Sequence, residues 1–190
     1  THLIRSNLKR SANLLRSFKQ VAVDQSSLAR RRFVFGDYVK DVLQSLHHGM
    51  EKRVESVDVD CPGELELNSY PGVFSQIINN LVENSMLHGF EEGKKGRIFM
   101  QASMRDGAFH FIYRDDGRGM KVGVLDQIFE PFFTTRRSQG GSGLGLHITY
   151  NLVNQTLGGS IGCFSQPGKG VEFRIIIPSE QLTGAGKAAE

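Results

Sequence analysis

Cysteine is scarce in this chain: Cys61 and Cys163 are the only two. They lie far apart, with no CxxC pair and no metal-ligand spacing, which excludes a disulfide framework and a zinc knuckle and reads as two reduced core thiols of a cytosolic domain. No apolar run reaches the length that crosses a bilayer, and no segment shows the pattern of a secretory signal, so a soluble chain is expected. Charge of one sign is not in large excess, the formal net charge being +3. Basic residues do gather at the start, where Arg5, Lys9, Arg10, Arg16, Lys19, Arg30, Arg31 and Arg32 face Asp24 alone. No base-reading motif and no interleaved aromatic residues accompany them, which argues against nucleic acid as a partner.

What is present suits one domain with an appendage: 190 residues, of which 39% are hydrophobic. Residues 1–28 read as an amphipathic helix carrying Ile4, Leu8, Leu15, Phe18 and Ala22 on one stripe. A helix near Asp37 to Leu46 follows, its core face made by Val39, Val42, Leu43 and Leu46, with His47 and His48 as last-turn cations to which no chemistry is assigned. Val54 to Asp60 alternates as a strand, Pro62-Gly63 turns, and Leu65 to Leu67 reads as a short return strand. From Pro71 a helix turns Phe74, Ile77, Ile78, Leu81 and Val82 to a core, while Asn80, Asn84 and His88 share a polar stripe at i, i+4 and i+8. Arg97 to Arg105 and Ala108 to Arg114 are strands joined by Asp106-Gly107, with Met100, Ala102 and Met104 facing the core and His110 facing out. A last helix stops at Gly158-Gly159, a hairpin joins Ser160–Ser165 to Val171–Ile177, and residues 179–190 read as a disordered tail.

The stretch Asp115 to Leu146, DDGRGMKVGVLDQIFEPFFTTRRSQGGSGLGL, organises the rest. Asp115 ends a strand, where its carboxylate can accept hydrogen bonds from the amino group of a flat ligand, and Gly117 and Gly119 lack the Cβ that would hold backbone away from that ligand. At the other end Gly141, Gly143 and Gly145 precede the apolar-periodic run LHITYNLVNQTL, placing free N–H groups at a helix start, a ready anion site. The connection from Gly119 to Gly140 is long enough to be a functional loop, with Phe129, Phe132 and Phe133 expected to pack it down.

DxGxG after a strand, then IFEPFF, then GxGxGL before a helix, together with INNLVENSMLHGF upstream, resembles the ATP-binding catalytic domain of sensor histidine kinases, within the Bergerat-fold ATPase family. The resemblance spans roughly Phe33 to Pro178, with residues 1–32 as the end of a dimerisation and phosphoacceptor hairpin; a plain surface helix capping the domain is the alternative for that segment. It implies an α+β two-layer sandwich, with a mixed sheet of about five strands under about three helices, and ATP with Mg²⁺ held between helices and a mobile lid. Asn84 matches the Mg²⁺ ligand, and His88 shares the nucleotide-facing stripe. Asn80 stands where hydrolytic relatives carry a glutamate base, and an amide cannot take a proton from water. Asp115, Gly117, Gly119, Phe132, Thr134, Thr135, Gly141, Gly143, Leu144, Gly145 and Leu146 fall in the nucleotide-binding motifs, and Ile112 is expected to floor the adenine site.

One position departs from the pattern: Leu87 stands where many histidine kinases have a lysine or arginine, so Arg136 or Arg137 of the lid becomes the candidate contact for the γ-phosphate. The implied partners are the phosphoacceptor hairpin, a response regulator receiver domain and a second copy through the N-terminal helix, in a parent protein with or without a membrane anchor. None of the six histidines, His2, His47, His48, His88, His110 and His147, is followed by Asp or Glu. The chain is therefore expected to bind ATP without phosphorylating itself. A module that binds ATP and moves its lid without transferring phosphate is the alternative reading.

Overall fold

The computed structural model describes residues 29–135 and 143–182. The helix expected over 1–28, the lid residues Arg136 and Arg137, Gly141 and most of the terminal tail lie outside them. The element order is β1 (Arg31–Val34), α1 (Phe35–Met50), β2 (Val54–Asp60), β3 (Glu66–Ser69), α2 (Pro71–Asn84), β4 (Gly96–Arg105), β5 (Ala108–Asp115), α3 (Val122–Leu125), α4 (Gly145–Asn151), β6 (Ser160–Ser165) and β7 (Val171–Pro178). Wider π turns, Ser85–Gly89 and Leu152–Thr156, extend α2 and α4. No helix among the described residues is long and apolar enough to cross a membrane.

The main sheet has five strands in the order β2-β4-β5-β7-β6, and only the β2–β4 pair is parallel. Period-two alternation turns Ile98, Met100 and Ala102 of β4, Phe109, Phe111 and Tyr113 of β5, and Phe173, Ile175 and Ile177 of β7 inward, all nearly inaccessible. Helices α1 and α2 cover that face with Phe35, Tyr38, Val39 and Val42, and with Phe74, Ile77, Ile78, Leu81 and Val82. Phe35 is the hub: its ring centroid lies 5.4 Å from Phe74, 5.0 Å from Phe109 and 5.4 Å from Phe111, each edge-on. Burying such a ring is worth about 1.5–3 kcal/mol, with edge-to-face pairing adding to it. Asp106 and Gly107, at φ 52° and 71°, make the two-residue β4–β5 turn, as their side chains predict.

Four expectations need correction. The hairpin between β2 and the 65–67 strand does not form: β3 pairs antiparallel with β1, Phe33 opposite Leu67, and β2 joins β4 at the sheet edge. Leu67 and Phe33 are buried at this ribbon, and Phe35 N–H donates to Leu65 O (2.8 Å), so burial of the apolar residues flanking α1 decides the pairing. Met104 is 43% exposed, because it lies at the hairpin tip beyond the helices' cover. Ile112 faces the opposite side from the buried Phe111 and Tyr113, opposite Gln101 and Arg174 in the ladder, so it cannot floor a site between sheet and helices. Order also continues past Ser179: Ser179–Gln181 form a 3-10 turn, Leu182 is buried, and Leu182 O accepts from Asn68 N–H (3.0 Å).

Candidate functional site

A cavity of about 490 Å³ opens between α2 with its π turn, the 118–135 segment, the start of α4 and the ends of β5 and β7. Its deep end is set by Asp115, the last residue of β5, 8% exposed. Ser85 Oγ donates to Asp115 Oδ2 at 2.6 Å, while Gly117 N–H and Val171 N–H donate to Oδ1 at 3.0 and 3.2 Å. Behind Ser85, Tyr113 OH is 2.7 Å from the serine oxygen. Burial pushes the Asp115 carboxyl above its ordinary range, and these donors oppose that rise without cancelling it. The Tyr113 phenol, fully enclosed, is pushed well above its usual value by the same desolvation. Val171, Phe173, Ile128, Val124 and Met120 supply apolar walls around the carboxylate. A flat ligand with one polar edge fits such a wall set.

The shallower end is polar. Asn80, Asn84 and His88 line one wall, and Thr134, Thr135, Gly143, Gly145 and Leu146 line the other. Asn80 Nδ2 donates to Gly145 O (3.0 Å) and to Thr149 Oγ1 (3.1 Å), and the Thr149 hydroxyl donates to the same carbonyl at 3.0 Å. The amide thus ties α2 to the first residue of α4. Asn84 Nδ2 donates to Asn80 O (2.7 Å), which leaves its carbonyl oxygen as the hard donor able to ligate a cation. His88 Nδ1 lies 3.1 Å from Thr135 Oγ1, joining the π turn to the lid segment. At the lid base His147 Nδ1 donates to Phe129 O (3.0 Å) and Nε2 accepts from Asn151 Nδ2 (3.1 Å), a tautomer set by these two partners. The Phe129 ring packs on Tyr150 at 5.3 Å.

Several expected residues stand elsewhere. Gly117 is not on the cavity wall: a Cβ there would lie 2.7 Å from Gly89 O, and one on Gly119 would lie 2.0 Å from Gln166 O. Both glycines make room for the chain's own backbone and not for a ligand, although Gly119 does line the cavity. Phe132 is 62% exposed at φ 65° and Leu144 lies off the wall, so of the lid aromatics Phe133 reaches the cavity and Phe129 packs its base. Leu87 lines the mouth, 43% exposed.

Sequence reasoning missed Ser85, Tyr113, Arg118 and Lys121. A signal for Ser85 exists: it continues the apolar stripe Phe74, Ile78, Leu81 at helical spacing, where a hydroxyl needs a partner. The turn that carries it is a π turn, which the sequence does not announce. Arg118 and Lys121, both exposed, also line the cavity.

The family described as "Histidine kinase-, DNA gyrase B-, and HSP90-like ATPase" matches residues 71–181, which hold every described residue of this cavity. Among curated proteins, the alginate biosynthesis sensor protein KinB of Pseudomonas aeruginosa is 36% identical over 103 residues, 54% of this chain and 17% of that protein. Sensor histidine kinase ZraS of Escherichia coli is 35% identical over 113 residues, 60% of this chain and 23% of that protein. The chain thus spans less than a quarter of the length of these relatives. Among solved structures, the catalytic domain of histidine kinase ThkA superposes with a TM-score of 0.69 at 22% identity, covering 80% of this chain and 99% of that one, which shows a shared fold. The structure of ThkA in complex with the response regulator protein TrrA matches with a TM-score of 0.65 at 20% identity, covering 93% of this chain and 49% of that one.

Proposed function

The chain belongs to the histidine kinase-, DNA gyrase B- and HSP90-like ATPase family, and on that footing we propose that it is the ATP-binding catalytic portion of a two-component sensor histidine kinase. The observation that carries the reading is the polarity of the cavity: a buried carboxylate among apolar walls at one end, and an asparagine stripe facing the glycine start of α4 at the other. Adenine lies against Asp115, which accepts from its exocyclic amine. The triphosphate runs toward Asn84 and the N–H groups ahead of α4, whose helix start favours anions. Asn84 fits Mg²⁺: that ion keeps several waters and takes one or two protein oxygens plus phosphates, and a single available carbonyl oxygen is what the side chain offers. The ion would supply charge neutralisation to the phosphates.

Transfer in this reading breaks the bond between the γ-phosphorus and the β–γ bridging oxygen and forms one to an imidazole nitrogen on a helix hairpin. The chain's residues position the nucleotide and exclude water; Arg136 or Arg137 of the lid supplies positive charge near the phosphates, where Leu87 cannot. Asn80 holds the glycine segment and cannot activate water, which favours transfer over hydrolysis. The hairpin boundary lies earlier than expected, because Arg31 and Arg32 are strand residues of β1 paired with Ser69 and Asn68 of β3. The residues ahead of β1 belong to the dimerisation hairpin and its linker in a homodimeric parent, and a response regulator receiver domain takes the phosphoryl group onward, a partner that the complex of the similarly folded ThkA with TrrA supports.

The test mixes the chain with a candidate phosphoacceptor hairpin and ATP labelled at the γ-phosphate. Acid-labile, base-stable label on the hairpin is expected, lost with Asp115→Ala. Equal affinity for ATP and GTP by calorimetry would overturn the assignment, since guanine presents a carbonyl where Asp115 needs a donor.

A further inference from the structure

We propose that Ser85 and Tyr113 are positioning residues that confine Asp115 to accepting one ligand N–H, and so set the cavity's preference for a base bearing an exocyclic amine. The inference rests on the adenine reading of the same cavity and adds the device that enforces it. An ionised carboxylate offers about four lone-pair sites. Gly117 and Val171 N–H groups donate to Oδ1, and the Ser85 hydroxyl donates to Oδ2. What remains toward the cavity is one acceptor site, on Oδ2, the oxygen that Ser85 fixes.

The direction of the chain follows from counting protons. Ser85 has one hydroxyl proton; with that proton on Asp115 Oδ2, the 2.7 Å contact behind it is closed by the Tyr113 phenol donating to Ser85 Oγ. Tyr113 has no exposed surface and Ser85 is 3% exposed, so water does not compete for either group. The alternating face of β5 places both Tyr113 and Asp115 inward, and the π turn after Asn84 carries Ser85 to the pair. Without the serine proton, Oδ2 would lose its fixed orientation, and burial would favour the protonated acid, which donates where the amine also donates.

The experiment measures dissociation constants for ATP and for purine riboside triphosphate, which has hydrogen in place of the amine, on each of four proteins. The wild type is expected to prefer ATP by roughly 10- to 100-fold, the factor of one charge-assisted hydrogen bond. Ser85→Ala should collapse that ratio to within about threefold, chiefly by weakening ATP, and Ser85→Thr should restore it because the hydroxyl returns. Tyr113→Phe, one oxygen smaller, should give a ratio between the two. Because both ligands are read on the same protein, a general loss of folded material leaves the ratio unchanged, whereas a positioning role moves it. If Ser85→Ala does not fold, Tyr113→Phe and Ser85→Thr decide. A wild-type ratio kept in Ser85→Ala or Tyr113→Phe, or Ser85→Thr failing to discriminate, overturns the positioning role while leaving the adenine reading intact. A wild type that does not discriminate overturns the adenine reading itself.

Discussion

Removing the Asn80 amide should separate the two helices that frame the polar end of the cavity. In Asn80→Ala two bonds disappear, to Gly145 O and Thr149 Oγ1. Gly145 O keeps its bond from the Thr149 hydroxyl, so no carbonyl is orphaned and the cost is that of the two bonds alone. At about 0.5–1.5 kcal/mol each, the loss is about 1–3 kcal/mol. For a domain of this size that lowers Tm by about 2–12 °C. Urea denaturation should show a reduced midpoint with an unchanged slope. The strut argument also requires coupling. Thr149 is fully buried, and Thr149→Val keeps its shape while removing the hydroxyl. In the double-mutant cycle Asn80→Ala and Thr149→Val should interact by at least about 0.5 kcal/mol, because they share one bond. Asn80→Glu is a poor route to a hydrolytic base for the same reason: the carboxylate has no proton for the carbonyl of Gly145 and would be expelled from its place. An Asn80→Ala midpoint equal to wild type, with additive double-mutant energies, would refute the strut.

Asp115→Ala should weaken ATP and ADP alike, by about 1.5–3 kcal/mol in titration calorimetry, since the proposed contact is to the base and not to the phosphates. Binding should also depend on pH. The folded Asp115 carboxyl is held above 3.8, so it sheds its proton at higher pH than in the unfolded chain. Affinity for ATP therefore rises with pH through a window above 3.8, while this group's contribution to folding stability falls across the same window; a flat affinity profile from acid to neutral pH counts against the ionised acceptor. Asn84→Ala should reduce the Mg²⁺-dependent part of ATP affinity and spare metal-free binding; an equal change with and without Mg²⁺ removes it as the ligand. Gly119→Ala, at φ 66° with a Cβ 2.0 Å from Gln166 O, should lower Tm far more than Gly93→Ala, at φ 79° in open space, where only about 1–2 kcal/mol of backbone strain is added.

Local chemistry was enough to read much of this protein from its sequence. Asp106-Gly107 specified a turn because both residues tolerate positive φ, Pro71 marked the first turn of α2, and the 3.6 and 2.0 periods of Ile77–Val82 and Phe109–Tyr113 named their buried faces. The acid and glycine motifs around Asp115 and Gly145, with the asparagine stripe, pointed to one cavity because each carries its own spacing. Tertiary structure decided what those periods leave open. Strand partners depend on which apolar residues can be buried together, so β3 went to β1 and β2 to the far edge. The roles of Gly117 and Gly119 depend on which backbone passes within contact distance, and that backbone is the chain's own. Ser85 looked like one more helical residue until a π turn placed its hydroxyl between Tyr113 and Asp115. Periodicity and propensity act over a few neighbouring residues and are written in the sequence; contacts between residues 28 or 30 positions apart exist only once the sheet and helices have packed.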